Sequence, residues 1–222
     1  MSGGGGGMDV MQLRRRIIAG LQCGSILPAA YQQVEWVGND GSSWVATDYV
    51  QTADNSEIDF EYMFTKSQIG DGLLFGARAG VNGYRRITCE MYNNGGWYCG
   101  CGIVQYRNVI SSHAGTLNTK YSGAITSTEM TLGSYSASPT DSYPAGTLPK
   151  LHIFSWNDNG TNNLINKGAR LYSLSFKENG VLAANFVPCY RKSDNEIGFY
   201  DTVSNAFYGN SGTGTLLKGA DV

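Results

Sequence analysis

The sequence predicts an all-β fold of two packed antiparallel sheets, a sandwich or jelly roll, preceded by one short helix. Three observations predict this fold. Short aromatic and β-branched segments follow one another closely from Tyr31 onward. Turns rich in glycine and asparagine separate these segments. After residue 22 no strong helical periodicity appears, which excludes a doubly wound parallel sheet.

The segment Ser56–Phe64 shows the strand pattern most clearly, because acidic and apolar residues alternate along it. Such alternation predicts a strand with one face in the core. Strands are predicted at Tyr31–Val37, Ser43–Val50, Ser56–Phe64, Gly72–Ala79, Tyr84–Tyr92, Gly96–Val104, Glu129–Tyr135, Lys150–Trp156, Ala169–Glu178, Val181–Tyr190, Ile197–Asp201 and Ala206–Tyr208. The Ser/Thr/Pro-rich run Ser134–Pro149 is predicted to be a long surface loop.

Two short segments precede the predicted β-domain, which extends over residues 27–222. Residues 1–8 contain five consecutive glycines, which predict a flexible leader. In residues 9–26, apolar residues recur at helical spacing from Val10 to Leu21 and predict a short amphipathic helix with a linker. That helix either packs on its own domain or docks the domain onto a larger assembly. Its apolar run is too short for a signal peptide, so none is recognised.

The composition excludes several classes of partner. Of the 222 residues, 41% are hydrophobic, enough for the core of one domain. Only 15% are charged, the net charge is -2, and basic residues cluster only at Arg14–Arg16. A nucleic-acid footprint needs a basic face, so no nucleic-acid partner is expected. No stretch approaches the roughly 20 apolar residues of a membrane span, so none is predicted.

The cysteines number five, which is odd and cannot give complete pairing within one chain. Cys99 and Cys101 would share one strand face and are too close in sequence for a relaxed disulfide. A metal site would need further ligands, and His113 and His152 are the only histidines. We therefore expect buried small apolar residues, neither a required disulfide framework nor a metal site, at Cys23, Cys89, Cys99, Cys101 and Cys189.

Both ends of the β-region resemble one known group. Leu27–Val37 reads LPAAYQQVEWV and resembles the opening of laminin G-like, concanavalin A-like jelly-roll domains found in phages and in surface proteins of gut bacteria. The next strand, Ser43–Asp48, lacks that group's usual aspartate and glycine. Asn185–Asp201 and Asn205–Tyr208, followed by Gly212–Gly214, resemble its C-terminal motifs. The resemblance implies a concanavalin A-like jelly roll.

The resembling C-terminal residues imply structural corners more than a ligand site. In this interpretation Pro188 ends a strand and Gly198 allows close packing. Arg191 clamps a loop through Asp194 or Asp201.

A second resemblance concerns the acidic strand. Glu57, Asp59 and Glu61 are spaced as in the catalytic strand of family-sixteen glycoside hydrolases. That resemblance implies a nucleophile, its electrostatic partner and an acid/base, in this order. The motif lies on only the third predicted strand, without the Trp-rich strand that precedes it in those enzymes. A solvated acidic face explains it better, so no catalytic residues are expected.

The remaining candidate site is aromatic. Rings beside amides are suited to sugars, because the ring stacks on CH groups while the amide binds hydroxyls. The candidate ligand-binding residues are Tyr84, Tyr92, Trp97, Tyr98 and Tyr106. Alternation places about half of such rings in the core, and it puts Trp97 and Tyr98 on opposite faces.

Calcium is the one cofactor for which the sequence offers a candidate segment. Asn157–Gly160 offers the oxygen atoms that calcium prefers. A plain Asx turn accounts for the same residues, and no cofactor is expected.

These observations favour a non-catalytic, glycan-binding jelly-roll domain of a phage virion or a bacterial surface protein. The expected partners are bacterial surface glycans or other virion proteins. The alternative is a purely structural capsid or tail decoration protein that contacts only protein, and a glycanase is less favoured. A homo-oligomer is also expected, because exposed β-edges and an amphipathic helix can pair with a second copy of the chain.

Overall fold

The computed structural model describes residues 26–66, 72–79, 86–91, 97–109, 116–142, 146–163 and 168–222. Within these residues the secondary structure is strand and turn, with no helix. The strands form two sheets, and all pairings are antiparallel except the one between Gly72–Arg78 and Trp156–Asp158. The predicted all-β fold with two antiparallel sheets is thereby confirmed. The predicted helix from Val10 to Leu21 lies outside the described residues.

The first sheet contains eleven strands in the described part of the chain. They are β1 (Tyr31–Gln33), β2 (Val37–Asn39), β4 (Ser56–Phe64), β9 (Tyr121–Ile125), β10 (Met130–Leu132), β11 (Tyr135–Ala137), β16 (Ala169–Glu178), β17 (Val181–Arg191), β18 (Glu196–Asp201), β19 (Ala206–Tyr208) and β20 (Leu216–Lys218). The order is β11-β10-β9-β4-β16-β17-β18-β19, with β1 on β17 and β2 between β16 and β20.

The second sheet contains nine described strands. They are β3 (Val45–Ala46), β5 (Gly72–Arg78), β6 (Arg86–Met91), β7 (Trp97–Gly102), β8 (Val104–Val109), β12 (Asp141–Ser142), β13 (His152–Ile153), β14 (Trp156–Asp158) and β15 (Thr161–Asn163). The order is β12-β8-β7-β6-β5-β13-β3, with β14 paired to both β5 and β15.

Aromatic side chains from both sheets meet in the core. The ring of Phe60 on β4 packs edge to face on Phe75 of β5, with centroids 5.3 Å apart. Phe75 also contacts Phe176 of β16 at 6.0 Å. Each such pair contributes about 0.5–1.5 kcal/mol beyond its buried area. These contacts hold the two sheets face to face.

The hairpin between β16 and β17 illustrates how local sequence sets the strand pairing. Asn179 and Gly180 have φ angles of 52° and 78°. Two consecutive residues with positive φ form the turn whose twist matches that of antiparallel strands, and Asn-Gly is its preferred sequence. The long predicted strands on either side of this turn are confirmed.

The predicted loop Ser134–Pro149 is wrong in part. It contains β11, which pairs with β10, and β12, which pairs with β8. The sequence also does not predict β9, β15, β20, or β8 beyond Val104. These short segments pair with neighbouring strands that come from other parts of the sequence or from the adjoining hairpin.

The C-terminal motif residues have structural roles. Arg191 forms a bidentate pair with Asp194, with Nη2 2.7 Å from Oδ2, so this predicted clamp is confirmed. Asp201 instead accepts hydrogen bonds from the backbone of Asn185 and Val203. The prediction that Pro188 ends a strand is wrong, because it lies inside β17. It falls between the residues that pair with β16 and those that pair with β1, where a missing N–H is tolerated.

The Asp40 carboxylate ties the start of the domain to its end. Oδ1 accepts hydrogen bonds from the amides of Ser42 and Ser43 at 2.9 and 3.0 Å, and Oδ2 from the amide of Thr215 at 2.7 Å. Burial acts to raise the pKa of Asp40, but the hydrogen bonds outweigh it and hold the pKa well below its usual range. Thr215 precedes β20, so this contact supports the pairing of β20 with β2.

The four cysteines in the described residues are all free and buried. The expectation of buried small apolar residues is confirmed for Cys89, Cys99, Cys101 and Cys189. Cys23 lies outside the described residues.

We expect Gly198→Ala to lower the free energy of unfolding by about 1–3 kcal/mol. A Cβ at Gly198 would collide with the backbone carbonyl of Tyr208 and approach the Phe207 ring to 2.9 Å. The control is Gly146→Ala, because a Cβ there has no atom within 4 Å. Urea unfolding of both variants checks this expectation, and equal stabilities would contradict it.

We also expect a pH-dependent loss of stability centred on His152. Its ring packs 4.4 Å from that of Trp44, and burial lowers the pKa of the imidazole below its ordinary value of 6.5. The unfolded chain therefore binds a proton that the folded chain refuses, so stability present above about pH 6.5 is lost as the pH falls below it. Urea unfolding should show a flatter dependence in His152→Gln, and identical slopes would refute this assignment.

Candidate binding face on the second sheet

The side chains of β5–β8 that point away from the first sheet form what we call the outer face of the second sheet. On β6, Ile87 and Cys89 belong to the core, so the residues that alternate with them along the strand point outward. The same alternation on the neighbouring strands defines the set. The described members are Gly76, Arg78, Arg86, Thr88, Glu90, Tyr98, Gly100 and Gln105. Four of these side chains, Arg86, Thr88, Glu90 and Gln105, are polar and yet buried.

Trp156 lies flat on this face. The parallel pairing of β14 with β5 places Trp156 beside Gly76, where a Cβ would lie only 2.8 Å from the indole ring. The indole Nε1 donates a hydrogen bond of 2.8 Å to Oε2 of Glu90 on the adjoining strand. Trp156 is 2% exposed and Glu90 is 7% exposed. A charge-assisted bond in such a dry position fixes both side chains.

An ion pair lies beside the indole. The guanidinium carbon of Arg78 is 4.8 Å from the centroid of the Trp156 ring, and its Nη2 is 2.7 Å from Oδ2 of Asp158. The two side chains are 21% and 14% exposed, so solvent still reaches the pair. Both groups can offer hydrogen bonds at the edge of the face.

The next cation along the sheet is Arg86. Its aliphatic part lies across Gly100, since a Cβ at that glycine would be 2.7 Å from Cγ of Arg86. Its Nη1 donates a 2.6 Å hydrogen bond to the hydroxyl of Tyr98, which is half-buried. The glycine thus allows a charged side chain to lie flat and to fix an aromatic residue.

Polar atoms lie in the row of paired residues that contains Gly100, which the Arg86 side chain covers. Thr88 and Gln105 both pair with Gly100 across β6, β7 and β8. The Thr88 hydroxyl and both amide atoms of Gln105 are buried and have no hydrogen-bond partner among the described residues. Such atoms are rare in folded proteins, and they mark a row that accepts further polar groups.

The predicted aromatic residues are placed differently from one another. Tyr98 lies on the outer face, as the alternation predicts. Tyr106 lies in the core with no exposed surface, and its hydroxyl donates to the carbonyl of Thr126 at 2.8 Å. Tyr106 therefore does not reach the outer face, because its strand turns this position toward the first sheet. Tyr84, Tyr92 and the side chain of Trp97 lie outside the described part.

The acidic strand lies on the opposite side of the molecule. Glu57, Asp59 and Glu61 share the outward face of β4, as predicted, and their side chains are 41%, 43% and 40% exposed. Lys177 bridges the first two, with Nζ 2.8 Å from Glu57 and 3.1 Å from Asp59. Lys120 pairs with Glu61 at 2.9 Å.

The lysine sets the protonation of this acidic pair. Its hydrogen bond lowers the pKa of Glu57. At Asp59, burial and the Glu57 charge raise the pKa and outweigh the lowering effect of Lys177. The carboxylates are thus engaged in ion pairs on a flat strand face, which is the solvated-face interpretation.

The candidate calcium segment forms an Asx turn. Oδ1 of Asn157 accepts a hydrogen bond from the amide of Gly160 at 2.9 Å, and Asp158 pairs with Arg78. Among the described residues no group of three or more His, Cys, Asp or Glu side chains is placed to hold a metal ion.

The residues that build the outer face around Tyr98 are not predicted from the sequence. Arg86, Thr88 and Glu90 do alternate with apolar residues, which signals a polar face but not a covered one. Gly76, inside a strand, was a sign that another side chain approaches closely. Nothing local identifies Trp156 as that side chain, because it comes from a strand 80 residues away.

The comparisons with protein families and with curated proteins identify no relative of this chain. No protein-family model matches the chain, and a search of curated proteins gives no match. No helix in the described part of the chain has the length and apolar character needed to cross a membrane.

We expect Trp156→Phe to destabilise the protein by about 1.5–3 kcal/mol, because it removes a hydrogen bond to a charged, buried acceptor. The ring still covers Gly76. Glu90→Gln is the matched control, since its amide oxygen still accepts from the indole, and it should cost less. Chemical unfolding measures both, and an unchanged Trp156→Phe variant would contradict the assigned bond.

Proposed function

We propose that this chain is a non-catalytic, glycan-binding domain of the concanavalin A-like jelly-roll type, displayed on a phage virion or a bacterial surface. The outer face of the second sheet is its binding face. One observation carries the proposal: Tyr98 and the Arg78–Asp158 pair are partly accessible groups, and the buried side chains of Arg86 and Trp156 hold them in place.

The chemistry of this face suits a neutral, hydroxyl-rich ligand. Its described charges are two guanidinium groups and two carboxylates, which balance. Arginine and carboxylate groups bind sugar hydroxyls as donors and acceptors, and an aromatic ring stacks on the apolar CH face of a sugar. Because the groups are already fixed, little conformational entropy is lost when a ligand binds.

The row beneath Arg86 extends the same chemistry. Thr88 and Gln105 lie in this row, and the Thr88 hydroxyl and the Gln105 amide have no hydrogen-bond partner among the described residues. Between them these groups include both donors and acceptors, which is what adjacent sugar hydroxyls require.

The jelly-roll assignment rests on the two resembling segments together with the packed sheets. The N-terminal segment Leu27–Val37 contributes β1 and β2, and the C-terminal segment contributes β17–β19. In the C-terminal segment, Arg191 clamps Asp194 in the turn before β18, and Gly198 allows β18 to pack closely on Tyr208. These roles support a shared fold.

Two features support the absence of catalysis. The carboxylates that resemble a hydrolase strand are paired to Lys177 and Lys120 on the first sheet. Asp158 is paired on the outer face, and Glu90 accepts the indole proton of Trp156. A glycosidase requires one carboxylic acid and one carboxylate that both reach the scissile bond.

The test is a glycan array probed with the full chain, followed by titration of retained glycans against two variants. Tyr98→Ala should weaken binding about tenfold, because it removes the stacking ring and the partner of Arg86. Tyr172→Ala is the matched control: Tyr172 is also half-buried, lies under Lys120 at 4.4 Å, and belongs to the first sheet. The control should bind as the original chain does.

Two outcomes would count against the proposal. If no glycan is retained by the full chain, the domain contacts protein alone, as in a capsid or tail decoration. If glycans bind but Tyr172→Ala weakens binding more than Tyr98→Ala, the site lies on the first sheet.

A further inference from the structure

The strands that carry the candidate binding face also carry an opposed pair of thiols. Cys89 of β6 and Cys99 of β7 are direct partners in the antiparallel register. Their Sγ atoms lie 3.5 Å apart, and both side chains are fully buried. They are ten residues apart in the chain.

We infer that Cys89 and Cys99 form a disulfide when the chain folds in the presence of a disulfide oxidant such as oxidised glutathione. Directly opposed residues of an antiparallel pair have Cβ atoms about 4.5–5.5 Å apart, whereas a disulfide needs about 3.5–4.5 Å. The strands must therefore approach by only a small amount. The pairing of β7 with β8 is irregular between Trp97 and Cys99, so Cys99 is less tightly held on its other side.

The other two described cysteines are worse partners. Cys101 lies two residues beyond Cys99, opposite Ile87, and its thiol is 3.3 Å from the carbonyl of Ser56. Cys189 belongs to a separate apolar cluster on the first sheet. The geometry thus selects one pair.

The reaction balances as two thiol–disulfide exchanges. One cysteine thiolate attacks oxidised glutathione, which gives a mixed disulfide and releases one glutathione. The second cysteine then displaces the other glutathione and forms the Sγ–Sγ bond. The two cysteines are oxidised, one glutathione disulfide is reduced, and the two thiol protons end on the two glutathione molecules.

The reaction belongs to folding and not to the finished domain. Burial raises the pKa of the Cys89 thiol well above its ordinary value, so little of Cys89 is the reactive thiolate in the folded chain, and both side chains are closed off from solvent. Before the sheets close, both thiols are accessible. A chain that folds under oxidising conditions therefore gains the bond, whereas one that folds in a reducing cytosol keeps two thiols.

The bond would lie directly beneath the outer face. Glu90 and Tyr98 are the chain neighbours of the two cysteines, and they are themselves paired across the same strands. The disulfide would thus fix the separation of β6 and β7 under these two residues.

The experiment refolds the denatured full chain either in a glutathione redox buffer or in dithiothreitol. Free thiols are then alkylated in denaturant, where the buried cysteines become accessible, and the chain is cleaved after Glu90 without reduction. Mass spectrometry of the glutathione sample should show the fragment with Cys89 joined to the fragment with Cys99, lighter by two hydrogen atoms. The dithiothreitol sample should show both thiols alkylated, and its melting temperature should be about 5 °C lower.

Variants assign the bond, because Cys99 and Cys101 share a fragment. Cys101→Ser should keep the joined fragments, and Cys99→Ser should lose them. Fragmentation of the joined species from the original chain gives the same assignment if Cys99→Ser does not fold. Full alkylation after refolding in glutathione, or a bond assigned to Cys101 or Cys189, would overturn the inference. None of these results depends on glycan binding.

Discussion

The burial of both faces of β5 and β6 is the constraint on which the rest of the structure depends. One face packs on the first sheet through Phe75, and the other lies beneath Trp156. A strand buried on both sides has little solvent to satisfy its polar side chains, so a polar group there is costly unless another protein group hydrogen-bonds to it. The bond between Trp156 and Glu90 follows from this requirement.

The glycines of the second sheet determine how the outer face is covered. At Gly76 the absence of a side chain admits the indole of Trp156, and at Gly100 it admits the stem of Arg86. Large side chains therefore lie flat on the sheet and are held at their tips by Glu90 and Tyr98. These side chains leave little of the outer face of β5 and β6 exposed to solvent.

The two sheets contrast in their treatment of charge. On the first sheet, Glu57 and Asp59 lie on a half-exposed face with Lys177, where ion pairs are worth little to stability. On the second sheet, charged groups are buried and linked to aromatic rings. The same residue types thus form a solvent-exposed face on the first sheet and the candidate site on the second sheet.

The sequence by itself determined the strand character of the chain, because alternation, as in Ser56–Phe64, and turn residues such as Asn179 act over a few residues. It also placed Tyr98 on the strand face opposite to that of Cys99 and Cys101. Only the tertiary structure decided what covers that ring's sheet, since Trp156 reaches it through a strand pairing between distant segments. The same holds for the cysteines. The sequence spacing relates Cys99 to Cys101, but only the strand register shows that Cys89 lies opposite Cys99.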